Sequence, residues 1–259
     1  MIGGYYTAVS AMAAMMAEQQ IIANNLANLN TIGYKQDIPQ ENEFERILFN
    51  ALVPRSALGK MSEATGPVGR IGTGVELLPT DLDLTTGPLV PTHRPLDLAL
   101  PNSGFFRVLD STGPPIYTRA GTFLRDSNGT LVTPQGEILT DIDGDPITLG
   151  PGAVVTRADG SIYLNDQLVS SIAIMDLSDG EAWRKVGLLH FMPHNPEAEP
   201  EQLASPGLLR GFLEQSNVDP DSQVVEMMSV LHIYKAAQAT LSMTDESISQ
   251  AVHEAGRVR

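Results

Sequence analysis

MIGGYYTAVSAMAAMMAEQQIIANNLANLNTIGYK, residues 1–35, is the stretch on which the fold turns. Its apolar side chains recur at Tyr5, Ala8, Met12, Met15, Ile22, Leu26 and Leu29, with Gln19 filling the one polar slot in the series. That spacing predicts a helix of about six turns with a narrow seam rather than the broad apolar face of a globular helix. Asn24, Asn25 and Asn28 favour caps and turns over helix interior, and Gly33 can take a positive φ, so the helix is expected to stop between Asn28 and Gly33. The segment is neither a secretory signal nor a membrane span by pattern. No Lys or Arg precedes Lys35, and Glu18, Gln19, Gln20 and the asparagines interrupt the run of about 20 apolar residues a span requires. It is expected to remain on the mature protein, without a cleaved signal peptide and without direct membrane insertion.

The far end of the chain mirrors the near one. After SNVDPDS, in which Asp219, Pro220 and Ser222 are helix-start residues, a seam runs through Val224, Met227, Leu231, Tyr234, Leu241, Ile248 and Val252, with Gln238 and Asp245 in polar slots. Two such helices can pair as a coiled coil, yet pairing leaves Met and Leu side chains uncovered. One reading is an ordinary helix pair packed on the rest of the chain. The other is packing against further copies, in which buried Gln19 and Gln238 cost stability and fix register. The methionines at 12, 15, 16, 227, 228 and 243 suit adaptable contacts with non-identical neighbours. The expected subunit contacts are Met12, Met15, Gln19, Ile22 and Leu26 with Met227, Leu231, Tyr234, Gln238 and Leu241. Without such partners the helices are expected to be loosely paired.

Between the ends the period changes from 3.6 to 2. In RPLDLALPNSGFFRVLD, Leu96, Leu98 and Leu100 alternate with Asp97 and Ala99, and GVELLPTDLDLT, IYTRAGTFLRD, GTLVTPQGEIL, GAVVTRADGSIYL and VSSIAIMDL read as further strands. Asn128-Gly129 and Asp159-Gly160 are two-residue hairpin signals. The expected fold is therefore α+β, with paired terminal helices and a central, mostly antiparallel β barrel or sandwich. The expected division is residues 1–35 and 216–259 as the helical domain, 36–80 as a connector with a short helix (ENEFERILFNAL) and an extended segment, and 81–215 as the β domain. The Pro-rich acidic stretch from about Met192 to Leu209 reads as a loop or flexible excursion.

Composition narrows the function. Thirty-one acidic against sixteen basic residues give a net charge of −15 over 259 residues, which disfavours nucleic-acid partners. The absence of cysteine excludes disulfides, thiolate nucleophiles and Cys-based metal sites. Asp141–Asp145 (DIDGD) begins like a calcium loop, but Pro146 and Gly152 stand where Gly and Glu are required, so it reads as an acidic hairpin turn. His93, His190, His194, His232 and His253 form no ligand spacing, and Pro193 interrupts the His190–His194 pair. No nucleophile elbow, P-loop or dinucleotide fingerprint occurs. No cofactor and no metal are expected. The competing reading is an acidic β-domain hydrolase with the helices as a dimerisation handle, although no carboxylate pair stands out.

IIANNLANLNTIGYK (Ile21–Lys35) resembles the N-terminal signature of bacterial flagellar rod and hook proteins, carried by Asn24, Asn25, Asn28, Gly33 and Tyr34. RPLDLALPNSGFFRV, YTRAGTFLRDSNGTLVTPQGEIL, GFLEQSNVDP and EMMSVLHIYKAAQATLSMTDE are similar to that family's later motifs and follow in family order. The resemblance implies a non-enzymatic structural subunit of the basal-body rod, proximal or distal, that polymerises into an axial tube transmitting motor torque for motility. It further implies partners among copies of itself, other rod and hook proteins and the flagellar type III export apparatus, and a periplasmic rod location.

Overall fold

A computed structural model describes residues 2–43, 47–49, 69–71, 75–110, 114–176, 183–193, 200–203 and 205–256. In chain order, helix α1 (Ile2–Ala27) is followed by β1 (Asp37–Glu43), β2 (Ile47–Phe49), β3 (Gly69–Ile71), β4 (Val75–Leu82), β5 (Leu89–Pro91), β6 (Leu98–Ala99) and β7 (Phe105–Leu109). Then come β8 (Pro115–Thr118), β9 (Leu124–Arg125), β10 (Leu131–Val132), β11 (Ile138–Leu139), β12 (Val154–Thr156), β13 (Ser161–Leu164) and β14 (Gln167–Ser171). The last strands are β15 (Ile174–Met175), β16 (Trp183–Val186), β17 (His190–Pro193), β18 (Leu209–Arg210) and β19 (Phe212–Glu214), before α2 (Pro220–Gly256). The fold is α+β. It divides into two units, one of residues 1–23, 39–80 and 224–259, the other of 24–38 and 81–223, and the division passes through both helices.

The second unit holds the β body. Its largest sheet has eight strands, in the order β16-β17-β8-β7-β11-β10-β9 with β15 also on β7. Every register in it is antiparallel. Strand alternation sorts side chains onto two faces. Phe106 and Val108 of β7 and Ile174 of β15 join a cluster with Leu98, Phe123, Leu131 and Leu139, whereas Phe105 and Met175 join Tyr117, Trp183 and Phe191. Edge-to-face ring pairs fill both, with centroids 5.3 Å apart for Phe106–Phe123 and 5.0 Å for Phe105–Phe191. A three-stranded antiparallel sheet, β12-β13-β14, and two-stranded ribbons β18-β6 and β19-β5 complete this unit.

The turns follow their sequence signals. Asp126 accepts the backbone N–H of Asn128, and Gly129 at φ +86° carries the chain from β9 into β10. Asp159 does the same for Ser161 N–H at 2.9 Å, joining β12 to β13, and those bonds hold its carboxyl below the usual range. The DIDGD segment is the acidic turn expected from its spelling: Asp141 Oδ1 accepts Asp145 N–H at 2.9 Å. One expectation is corrected. Where ENEFERILFNAL suggests a short helix, residues 41–43 and 47–49 are strand. Ile47, Leu48 and Phe49 are strong strand formers, and backbone pairing with Ile71, Arg70 and Gly69 overrides local helix propensity. The connector's remaining expected features at residues 50–68, and residues 194–199 of the expected Pro-rich loop, lie outside the described residues; at that loop's ends Met192 and Pro193 instead close β17, paired with Arg184 and Trp183, and Leu209 opens β18, paired with Ala99.

The first unit contains most of both helices. Ala14, Met15 and Ile22 of α1 form a small apolar cluster with Val230 of α2, flanked by Met227 and Tyr234. Along α1 Ala8, Ala14, Met15, Ile22 and Asn25 are buried; along α2 Gln223 and Val230 are buried while Met227, Tyr234, Ala237, Leu241 and Thr244 are half-buried. Ala8, Met15 and Ile22 keep the heptad spacing of the seam read from sequence, while on α2 the buried position is Val230 rather than its neighbour Leu231.

Candidate assembly surfaces and the junction behind them

α1 is stopped by its own asparagines. Asn28 N–H bonds back to the carbonyls of Asn24 and Asn25, its side chain caps Asn24, and Thr31 N–H closes on Asn28 O. Gly33 then takes φ +71° and sends its N–H to Glu214 O at 2.9 Å. A Cβ there would sit 2.4 Å from the backbone N of Ala120, so both conformation and space require glycine. α2 is started by Asp219, whose carboxylate accepts Asp221 N–H while its carbonyl accepts Gln223 N–H, with Pro220 in the first helical position.

Residues 24–38 place a polar network inside the second unit. Asn25 is 1% exposed. Its amide donates to Asp37 O at 2.9 Å and to Gln223 Oε1 at 3.2 Å, while its oxygen accepts Tyr34 Oη at 2.9 Å and Asp37 N–H at 3.1 Å. Every polar valence of that side chain is used. Burial first, then the neighbouring Asp37 carboxylate, raise the Tyr34 phenol far above its ordinary range, so it stays a neutral donor. Lys185 places its ammonium 3.9 Å from the Tyr34 ring centroid and bonds Lys35 O at 2.8 Å and Asp37 Oδ2 at 2.9 Å.

Beside it lies a buried ionic triad. Lys35 Nζ meets Glu214 Oε1 at 2.8 Å, and Arg119 Nε holds Glu214 Oε2. Two cations against one carboxylate leave an excess positive charge. Backbone carbonyls absorb it: Lys35 also donates to Thr85 O, and the Arg119 guanidinium to the carbonyls of Leu100, Asn102 and Gly104. Burial lowers the pKa of Lys35 and of Arg119, against the opposing pull of Glu214. Asn217 completes the junction, accepting Gln36 N–H and donating to Asp83 O, both at 2.9 Å. The triad draws one residue from each of three motif blocks, NTIGYK, YTRAGTF and GFLEQSN. Sequence reading marks the blocks, but only the fold shows that they meet.

The residues expected at subunit contacts divide by depth. Met15 and Ile22 are buried in the helix cluster; Met12, Gln19, Leu26, Met227, Leu231, Tyr234 and Leu241 are half-buried, and Gln238 is exposed. Of the signature residues, Asn25, Gly33 and Tyr34 turn inward, Asn24 is exposed and Asn28 half-buried. Outside the cluster both helices carry bare apolar side chains, among them Met16 at 58% exposure, Val225 at 67%, Met243 at 69% and Val252 at 66%. No described helix is long and apolar enough to cross a membrane.

A β body latched by a filled polar junction, with terminal helices that carry bare apolar side chains, is the architecture of a structural subunit. Three family profiles match in order: flagella basal body rod protein over residues 6–35, flagellar hook protein FlgE/F/G D1 domain over 99–174, and flagellar basal body rod FlgEFG protein C-terminal over 209–252. The chain belongs to the flagellar basal-body rod protein family. The flagellar basal-body rod protein FlgF of Mesorhizobium japonicum is 29% identical over 253 residues, 97% of each chain. That of Rhizobium meliloti is 27% identical over 261 residues, 99% of each chain. The flagellar basal-body rod protein FlgG of Bacillus subtilis is 28% identical over 271 residues, 98% of this chain and 99% of its own. The protein is thus a structural component of the flagellar basal body, assembling with other rod and hook proteins, and not an enzyme; these relatives lend no support to the hydrolase reading.

Proposed function

We propose that the terminal helices pair as a coiled coil and pack with those of neighbouring subunits into the wall of an axial tube that transmits motor torque. The carrying observation is the set of bare apolar side chains on α1 and α2, Met16, Val225, Met243 and Val252 foremost. A 37-residue helix runs about 55 Å, and its last described buried side chain is Val230, so most of its length waits for a partner. Met12, Met15, Gln19, Ile22 and Leu26, with Met227, Leu231, Tyr234, Gln238 and Leu241, form the contact set in this reading. The β body braces neighbours from outside, and non-closing head-to-tail contacts make a tube rather than a ring. In the same reading the chain travels unfolded through the flagellar export apparatus, without a cleaved signal, and folds in the periplasmic rod.

Electron microscopy of basal bodies purified from cells carrying Met228→Glu with Met243→Glu tests the helix wall. The expected result is a monomer that melts like the parent yet is missing from the rod. Normal incorporation of that variant would remove the helices from the wall.

A further inference from the structure

Two surfaces of the β body are apolar, exposed and unused by anything described above. The first is the hairpin of β16 and β17. β16 is the terminal strand of the eight-stranded sheet; its Trp183 turns inward, while Arg184 and Val186, two residues apart, are exposed. Leu188, 49% exposed, stands at the tip of the same hairpin. The strip is therefore apolar with a cation at one end.

The second is the outer face of the β12-β13-β14 sheet. Val155, Tyr163 and Leu168 are aligned across the three strands, while their neighbour Ile162 is buried on the other face. Leu168, at 62% exposure, lies on the edge strand, and Arg157 plates the Tyr163 ring at 4.0 Å. The acidic turn borders this sheet: Ser170 Oγ bonds Asp141 Oδ2 at 3.2 Å and Ile142 N–H bonds Ser171 O at 3.2 Å. Ile142 is exposed there between Asp141 and Asp143, with Asp145 beyond. The face is apolar and carries the Arg157 cation on Tyr163; the acidic turn lies along its β14 edge, joined through Ser170 and Ser171, with the Arg107 guanidinium beside Gly144. A bare apolar edge strand in a soluble protein is normally charged or covered, and β14 exposes Leu168 and Val169.

We propose that the β16–β17 hairpin of one copy seats on the β12-β14 face of the next copy, Val186 and Leu188 against Leu168 and Ile142, with Arg184 facing the carboxylates of Asp143 and Asp145. The occupant is a second copy of this chain because the two surfaces complement each other in composition and, at the acidic turn, in sign: an apolar strip ending in a cation, an apolar face with exposed carboxylates at one edge. They are built from different elements, so the contact is head-to-tail and each subunit offers one of each, which lets it pass from copy to copy. The inference rests on the reading of the chain as a subunit among copies of itself in the rod.

The cysteine-free sequence makes the test clean. Cells whose only copies of this protein are two differently tagged chains, Leu168→Cys and Leu188→Cys, supply basal bodies for treatment with a short bismaleimide. The expected product is a mixed-tag dimer, absent when either variant is expressed alone. Adding Arg184→Glu to the Leu188→Cys chain lowers its yield at least fivefold, and Asp143→Arg with Asp145→Arg on the other chain restores it. Same-tag dimers, cross-links to a different rod protein, or no mixed dimer although both chains are in the basal bodies would overturn the hairpin contact alone. Absence of both chains from basal bodies, while each melts like the parent, would overturn the rod reading beneath it.

Discussion

The two ends of α1 are opposites. Near Asn25 every polar atom has a partner and Tyr34 and Lys35 are fully buried. Toward its start, and along most of α2, the helices offer a thin apolar stripe and bare methionines. One end of the helix is fixed by polar bonds within the chain; the other carries bare apolar side chains. In the proposed rod wall, stability of the monomer and competence to assemble therefore reside in different residues, which mutation should separate.

The largest effect falls on Glu214. Glu214→Gln leaves Lys35 and Arg119 buried without their carboxylate, and urea unfolding should show a loss of about 3–5 kcal/mol. Lys35→Met, which leaves one balanced Arg119–Glu214 pair, should cost about 1 kcal/mol or less. Equal losses would mean the triad does not act through charge balance. Gly33→Ala comes next, at about 2–3 kcal/mol, because positive φ and the close Ala120 backbone act together. Asn25→Ala removes the acceptor of Asp37 N–H and of the Tyr34 hydroxyl and should cost about 2 kcal/mol in the same measurement.

A smaller effect appears with pH. Burial depresses the Lys35 pKa, so between that value and the ordinary lysine range the unfolded chain holds more protons than the folded one. This group's contribution to stability therefore rises with pH through that window. Lys35→Met should flatten the alkaline slope of the unfolding midpoint, and an unchanged slope would exclude Lys35 as its source. The smallest effect on the monomer belongs to Met243→Glu, within about 0.5 kcal/mol. Hydrogen exchange sharpens the contrast: amides of residues 14–26 and 223–234 should be slow and those beyond 240 fast. Uniform protection along α2 would mean that its outer part needs no partner.

Much of this was legible in the sequence because it is local. Asp219-Pro220 begins a helix, Asn28 to Gly33 ends one, and Asn128-Gly129 turns a hairpin through interactions spanning a few residues. The seam's phase on α2 was harder, since Val230 and Leu231 are adjacent apolar residues that satisfy the same period. Residues 41–49 misled because pairing with a strand beyond residue 68 outweighs local propensity. The triad was invisible for a different reason: Lys35 and Glu214 are 179 residues apart and Arg119 and Glu214 are 95 apart, and no periodicity joins them.

That separation also sets an order of events. Asn25 bonds Gln223 across 198 residues, and Gly33 donates to Glu214, so the junction draws on both ends of the chain. A polypeptide emerging into solution from its N-terminus can form its hairpins as they appear, yet Lys35 does not meet Glu214, nor Asn25 Gln223, until those residues have followed. The junction cannot close before those residues arrive, and a chain truncated ahead of them lacks partners that no earlier segment supplies.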